Sequence, residues 1–305
     1  DEERKSRESI LGSDELMRNL VKEEIEETAA EFGDDRRSPL VERDESQAFS
    51  EKDLLTSDPV TVVLSKQGWI RAAKGHDIDP AGLSYKGNDG FKLSISGRMN
   101  QPTILLDSLG RSYTLETHNL PSARGQGEPV TGSISLQKGA TVEAMVAGKD
   151  SDNVLLSSDA GYGFVTSIGD MTSKTKNGKA VLTLPKGANI INPAPIDDAE
   201  NSLIAAVTSE GRLLVFPISE LPVLGRGKGN KIINIPSARA QSREELMISV
   251  VVMSADQELL VHAGKQYLKM TKADLDHYRG DRGRRGNKLP RGYQRVSHLS
   301  INRDQ

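Results

Sequence analysis

Leu203-Ile-Ala-Ala-Val207, then Thr208-Ser-Glu-Gly211, then Arg212-Leu-Leu-Val-Phe216: these residues decide the fold. Two apolar runs of strand length flank a short polar turn that ends on glycine. Glycine adopts a positive φ at little cost, so the pattern reads as a β-hairpin. The unit recurs as Val60-Thr-Val-Val-Leu64 before Gly68, Thr103-Ile-Leu-Leu106 before Gly110, Val154-Leu-Leu156 before Gly161 and Leu259-Leu-Val261 before Gly264. The five glycines are 42, 51, 50 and 53 residues apart. A fixed period of this length marks a repeat architecture. Further strands are expected at 91–96, 133–136, 179–184 and 231–235, and a third apolar stretch at 140–147, 188–196 and 247–253. About four strands per repeat is the content of a propeller blade. The expected fold is mainly β, a five-bladed propeller spanning 46–305, with a helical lead-in and linker over 1–45. The Trp-Asp signature of the commonest propellers is absent. Trp69 lies in the first hairpin and is expected in the core.

Outside the repeats, residues 14–32 carry Leu16, Leu20, Val21, Ile25, Ala29 and Phe32 at helical spacing. Ser13 or Asp14 is the expected N-cap, and Gly33 the expected left-handed stop. Residues 34–58 are charged and read as a linker. The chain opens Asp1-Glu2-Glu3-Arg4, unlike a signal peptide, and has no initiator Met, so a fragment of a longer protein is expected. No apolar run approaches the ~20 residues that span a bilayer. The absence of cysteine excludes disulfides and thiolate metal sites and fits a reducing cytoplasm.

The formal charge of −3 hides an asymmetry. Residues 1–50 hold 16 Asp/Glu and 8 Lys/Arg, whereas residues 260–305 hold 4 and 11. The basic residues gather in loops roughly 13 to 18 positions after each hairpin glycine: Lys86-Gly-Asn-Asp-Gly90, Arg124-Gly-Gln-Gly127, Lys174-Thr-Lys-Asn-Gly-Lys179, Arg226-Gly-Lys-Gly-Asn-Lys231 and Arg282-Gly-Arg-Arg-Gly-Asn-Lys288. Glycine lets the backbone come close and present N–H groups, and the cations attract phosphate. Any one such loop is an ordinary solvated turn. Recurrence at one phase of every repeat predicts a single basic rim. No base-reading side chains stand out, so backbone contact is expected. Only 12 of 305 residues are aromatic, too few for a track of stacked bases, which favours duplex over single-stranded DNA.

Catalysis finds little support. His76, His118, His262, His277 and His298 form no ligand-spaced pair, and Asp197-Asp198 sit in a polar loop. No P-loop or nucleophile elbow occurs. A protein-interaction propeller meeting an acidic partner and, behind it, a propeller hydrolase or lyase are the alternatives.

Several stretches resemble one family. They are Gly33-Asp-Asp-Arg-Arg-Ser38, Trp69-Ile-Arg-Ala-Ala-Lys-Gly-His76, Pro121-Ser-Ala-Arg-Gly-Gln-Gly-Glu128, Asp159-Ala-Gly-Tyr-Gly-Phe164 and Gly227-Lys-Gly-Asn-Lys-Ile-Ile-Asn-Ile-Pro236. Together they resemble the C-terminal domain of the A subunit of bacterial type IIA topoisomerases. The resemblance implies a gyrase-type β-pinwheel whose blades exchange strands and whose outer rim binds duplex DNA. It implies that the nucleophilic tyrosine and the Mg2+ and ATP sites lie outside this chain, so that the fragment has no catalytic residues, cofactor, metal or small-molecule substrate of its own. Its implied partners are duplex DNA, the rest of the A subunit in a homodimer and the ATPase B subunit, on the chromosome in the cytoplasm and not at a membrane. Gyrase subunits carry a Gln-Arg-Arg-Gly-Gly-Lys-Gly box in the first blade. Here Ser84-Tyr-Lys-Gly-Asn-Asp-Gly90 stands in that region, and Arg282-Gly-Arg-Arg-Gly286 is a partial echo. The departure favours the topoisomerase IV branch, and gentler DNA bending over full wrapping. The expected DNA contacts are Arg71, Lys74, Lys86, Arg124, Lys174, Lys176, Lys179, Arg226, Lys228, Lys231, Arg282, Arg284, Arg285, Lys288 and Arg291.

Overall fold

A computed structural model describes residues 1–34 and 55–302. The chain divides into two compact units, residues 1–49 and 50–305. The expected boundary at 45/46 and most of the 33–38 stretch lie outside the described residues.

Among the described residues the first unit holds two helices where one was expected: α1 (Glu2–Leu11) and α2 (Asp14–Phe32). No apolar stripe marks α1. It carries Arg4–Glu8 and Glu3–Arg7 pairs at i,i+4, each worth only about 0.3–0.5 kcal/mol. The Ser13 hydroxyl caps α2 by accepting the Leu16 N–H. Gly33 stops the helix in an extended rather than left-handed conformation. A Cβ there would collide with the Ala29 carbonyl.

The second unit is built from antiparallel sheets. Its first repeat supplies β1 (Pro59–Ser65), β2 (Trp69–Lys74) and β3 (Phe91–Arg98). The second supplies β4 (Pro102–Asp107), β5 (Arg111–Glu116), β6 (Glu128–Pro129) and β7 (Val142–Ala147). The third supplies β8 (Asn153–Ser158), β9 (Tyr162–Ser167), β10 (Lys179–Ala180) and β11 (Ile190–Ile196). The fourth supplies β12 (Leu203–Thr208), β13 (Arg212–Pro217), β14 (Asn230–Lys231) and β15 (Met247–Met253). The fifth supplies β16 (Glu258–Ala263), β17 (Gln266–Met270), β18 (Asn287–Lys288) and β19 (His298–Asn302).

The sheet orders are β3-β1-β2-β6, β7-β4-β5-β10, β11-β8-β9-β14, β15-β12-β13-β18 and β19-β16-β17. Each short strand therefore joins the sheet of the preceding repeat. The fifth sheet has three strands among the described residues. Strands β3, β7, β11, β15 and β19 pack in that succession, and β3 makes no comparable contact with β19.

The continuous apolar runs follow from this stacking. A strand between two sheets is buried on both faces, so polar residues do not alternate into it. In β4, Leu105 packs toward the first sheet, while Ile104 and Leu106 pack toward the third. In β12, Ile204 and Ala206 face the third sheet, and Leu203, Ala205 and Val207 face the fifth. Four apolar clusters thus lie between successive sheets.

The expected strands at 91–96, 140–147, 188–196 and 247–253 coincide largely with β3, β7, β11 and β15. Those at 179–184 and 231–235 shrink to two residues, and 133–136 is not a strand. The apolar residues that suggested them are plugs instead. Val130, Val181, Ile232 and Leu289 follow the exchanged strands and are at most 3% exposed. A positive-φ glycine (Gly127, Gly178, Gly229 or Gly286) precedes each exchanged strand. The first four hairpins share a turn closed by the glycine N–H, as in Gly110 to the Asp107 carbonyl. The fifth differs: Ala263 pairs with Gln266, leaving the two-residue turn Gly264-Lys265. Gly264 has φ +65, as the first position of a II′ turn requires.

Candidate nucleic-acid interface

The exchanged strands carry the basic loops across the boundaries between sheets, and each loop is hydrogen-bonded to the next loop or to the segment that follows its neighbour. Arg71 links the first two, donating to the carbonyls of Ser84 and Gly125 at 2.8 Å each. The second meets the third through Ser135 N–H to the Lys176 carbonyl at 2.8 Å. The third meets the fourth through Thr183 N–H to Gly227 and Gly227 N–H to Val181, at 2.8 and 2.9 Å. The fourth meets the fifth through Gly283 N–H to Ile232 and Asn234 N–H to Arg284, at 3.0 and 2.9 Å. Hydrogen bonds thus connect the successive loops and the segments after them from the first to the fifth.

The fifteen expected contact residues divide by what their side chains already hold. Lys74, Lys86, Arg124, Lys174, Lys176, Arg226, Lys228, Arg284, Lys288 and Arg291 are exposed. Arg284 pairs with Asp281 at 3.3 Å, and both are solvated, so the pair is weak. Lys228 stands 4.3 Å from the centroid of the Tyr162 ring. Lys179 and Lys231 are half-buried, and Lys231 donates to Asn234 Oδ1 at 2.9 Å.

Arg71 is only 3% exposed, and its guanidinium lies 4.7 Å from the centroid of the Tyr85 ring. Both of its carbonyl bonds point inward, so the expectation of a phosphate contact is revised: it ties two loops together. Arg282 likewise donates to the Lys231 carbonyl at 2.9 Å. Arg285 donates to Asn234 at 2.8 Å and clamps Glu245, whose side chain is fully buried, at 2.6 and 2.7 Å. Arg239 approaches the same carboxylate at 3.0 Å. A buried carboxylate needs such partners, because isolated burial of the charge costs several kcal/mol.

Sequence reasoning missed Arg111 and Arg212. Arg111 donates to the carbonyls of Asn177 and Gly178, at 2.9 and 2.8 Å, and Arg212 to that of Gly286 at 3.1 Å. Each directly follows a hairpin glycine, where an exchanged loop crosses; that position was the available signal. In the first loop Asp89 offsets Lys86. Burial works against its charge, but the Ser65 hydroxyl and the N–H groups of Gln67, Gly90 and Lys66 hold its carboxyl below the ordinary range.

A family model described as "DNA gyrase C-terminal domain, beta-propeller" matches residues 152–197 and 203–238. The A subunit of DNA topoisomerase 4 from Pseudomonas aeruginosa is 52% identical over 299 residues, covering 98% of this chain and 40% of that one. Its Escherichia coli K12 counterpart is 48% identical over 301 residues, 99% of this chain and 40% of that one. The chain therefore spans about 40% of the length of these curated relatives. The solved E. coli ParC C-terminal domain superposes with a TM-score of 0.72 at 48% identity, over 81% of this chain and 99% of that one. On its strand-exchanged sheets, its rim and this match across a whole solved domain, the chain belongs to the family of C-terminal domains of the DNA topoisomerase IV A subunit, ParC.

Proposed function

We propose that the domain grips duplex DNA by its phosphates along the rim, bends it and presents it to a topoisomerase IV core as the transported segment in decatenation and relaxation. The observation that carries this reading is the hydrogen bonding that runs from each loop to the next loop or the segment after it, and in this reading it lines separate small charges along one track. The contacts are Lys74, Lys86, Arg124, Lys174, Lys176, Arg226, Lys228, Arg284, Lys288 and Arg291, flanked by Lys179 and Lys231. Arg71, Arg282 and Arg285 shape the track from behind. Catalysis, with its tyrosine, Mg2+ and ATP, belongs to the rest of an A-subunit homodimer and to the B subunit, in the bacterial cytoplasm.

We read the five sheets as five blades of a pinwheel that is open between the last and the first. Between β2 and β3 lie 16 residues, 75–90, where the other repeats have at least 22 before their innermost strand. The first repeat lacks the length that elsewhere holds an exchanged strand and its apolar plug. An open track favours a modest bend, since a larger one costs several kcal/mol that fewer cations must offset. The test is charge reversal: R226E/K228E/K288E is expected to abolish duplex binding at physiological salt while leaving the fold intact by circular dichroism. Undiminished binding by that variant overturns the reading.

A further inference from the structure

Trp69, expected in the core, belongs to none of the four apolar clusters. It is half-buried and lines a cavity of about 300 Å³ between the first two rim loops. The other walls are Tyr85, Gln67, the run Lys86-Gly-Asn-Asp89 and Gln126. We propose that this cavity is a subsite for a single unpaired base of a DNA strand, an inference that rests on the rim being a DNA surface.

The chemistry of the lining selects a base over other rim ligands. Two aromatic rings supply stacking faces, which every base can use. The amides of Gln67, Asn88 and Gln126 can pair with base edges, an Asn or Gln amide being suited to adenine N6 and N7. Asp89 also lines the space and stays ionised, which repels a phosphate but not a neutral base. Exposed Lys86 at the wall suits the phosphate that follows the base outside.

The cavity is preorganised by the residue that also links the first two loops. Buried Arg71 covers a face of Tyr85 and holds both walls, through Ser84 on one side and Gly125 on the other. The Tyr85 hydroxyl is fixed on the Pro80 carbonyl at 2.6 Å. The space is far too small for a duplex, and a paired base would have to leave its stack to enter. A looped-out base bears no such cost, so the site selects DNA that is already distorted. The loop at 86–90 carries a single cation, so stacking can replace charge there as the source of grip.

Trp69 is the single tryptophan of the chain and reports on its own cavity. The experiment titrates the whole chain with a matched duplex and with the same duplex carrying one looped-out adenine, at fixed salt. Trp69 fluorescence and the anisotropy of labelled DNA are both read. Expected are quenching by the looped-out duplex and binding about ten-fold tighter than to the matched one, the size of a single base–aromatic stack. Trp69→Leu, followed by anisotropy, should bring the ratio of the two affinities to about one. Exposed Gln126→Ala should lower the ratio without disturbing the fold. Equal wild-type affinities for the two duplexes overturn the subsite and leave the duplex reading standing. Binding of neither duplex overturns both.

Discussion

The loop at 282–288 has four cations in seven residues, and the loop at 86–90 has one in five. Counting charge, the fifth loop should dominate any contact with DNA. Yet Arg282 and Arg285 turn inward onto the fourth loop and Glu245, and Arg284 shares its charge with Asp281. Of the four, only Lys288 is exposed and outside any ion pair among the described residues, whereas Lys86 in the first loop is exposed beside an aromatic cavity. The charge in a loop and the charge offered to a ligand are separate quantities. Strand exchange separates them, because a loop crossing to another sheet needs cations to bond the carbonyls it meets.

The largest effect should come from breaking the inward half of the fifth loop. Glu245→Ala leaves Arg285 without a carboxylate partner and Arg239 with Glu210 and Glu244 alone, and should cost about 3 kcal/mol, read from the urea midpoint at constant m-value. Next is the corresponding tie in the first loop. Arg71→Ala removes two charge-assisted bonds and the cover on Tyr85, and should cost about 2–3 kcal/mol. Lys86→Ala, a few residues away, should stay within about 0.5 kcal/mol. Similar costs for these two variants would erase the distinction between ties and contacts.

The smallest effect concerns the edge of the fifth sheet, where His262 and His298 stack across β16 and β19 with centroids 4.1 Å apart. Burial, and then the charge of His298, lower the His262 pKa below its ordinary 6.5. The unfolded chain thus binds more protons than the folded one as pH falls through 6.5 toward the lowered folded value. The contribution of His262 to stability is complete above 6.5 and is lost across that window. Melting temperature should fall slightly across it, by less than for either variant above. His298→Ala should raise the His262 pKa in an NMR titration, though not fully restore it, because burial remains. A pKa unmoved by that substitution would remove the partner's charge as a cause.

Much of this was legible in the sequence, because the repeat makes weak local signals add. Val60–Leu64, Leu203–Val207 and their counterparts announced the strands of the repeated hairpins. The acceptor of each exchanged strand was not legible: two residues such as Asn230-Lys231 hold no pattern that names a partner sheet. The apolar residues after them looked like longer strands because a buried plug and a buried strand share a composition. Arg71 read as a surface cation because an arginine is seldom fully buried. Only the approach of Ser84 and Gly125, 13 and 54 residues away, turns it into a tie. Trp69 read as core because tryptophan in a hairpin usually is, and its cavity exists only where two loops from different repeats meet.

The measurement that tests the division into ties and contacts most directly is the salt dependence of duplex binding by three proteins: the whole chain, R226Q/K228Q/K288Q and Arg282→Gln. Each phosphate neutralised contributes about −0.9 to the slope of log K against log salt. The triple variant is predicted to lose about two to three units of slope, roughly one for each contact removed. Arg282→Gln should keep the parent slope, because its guanidinium faces a carbonyl and not a phosphate. A triple variant with the parent slope, or an Arg282 variant that loses a full unit, would contradict that division.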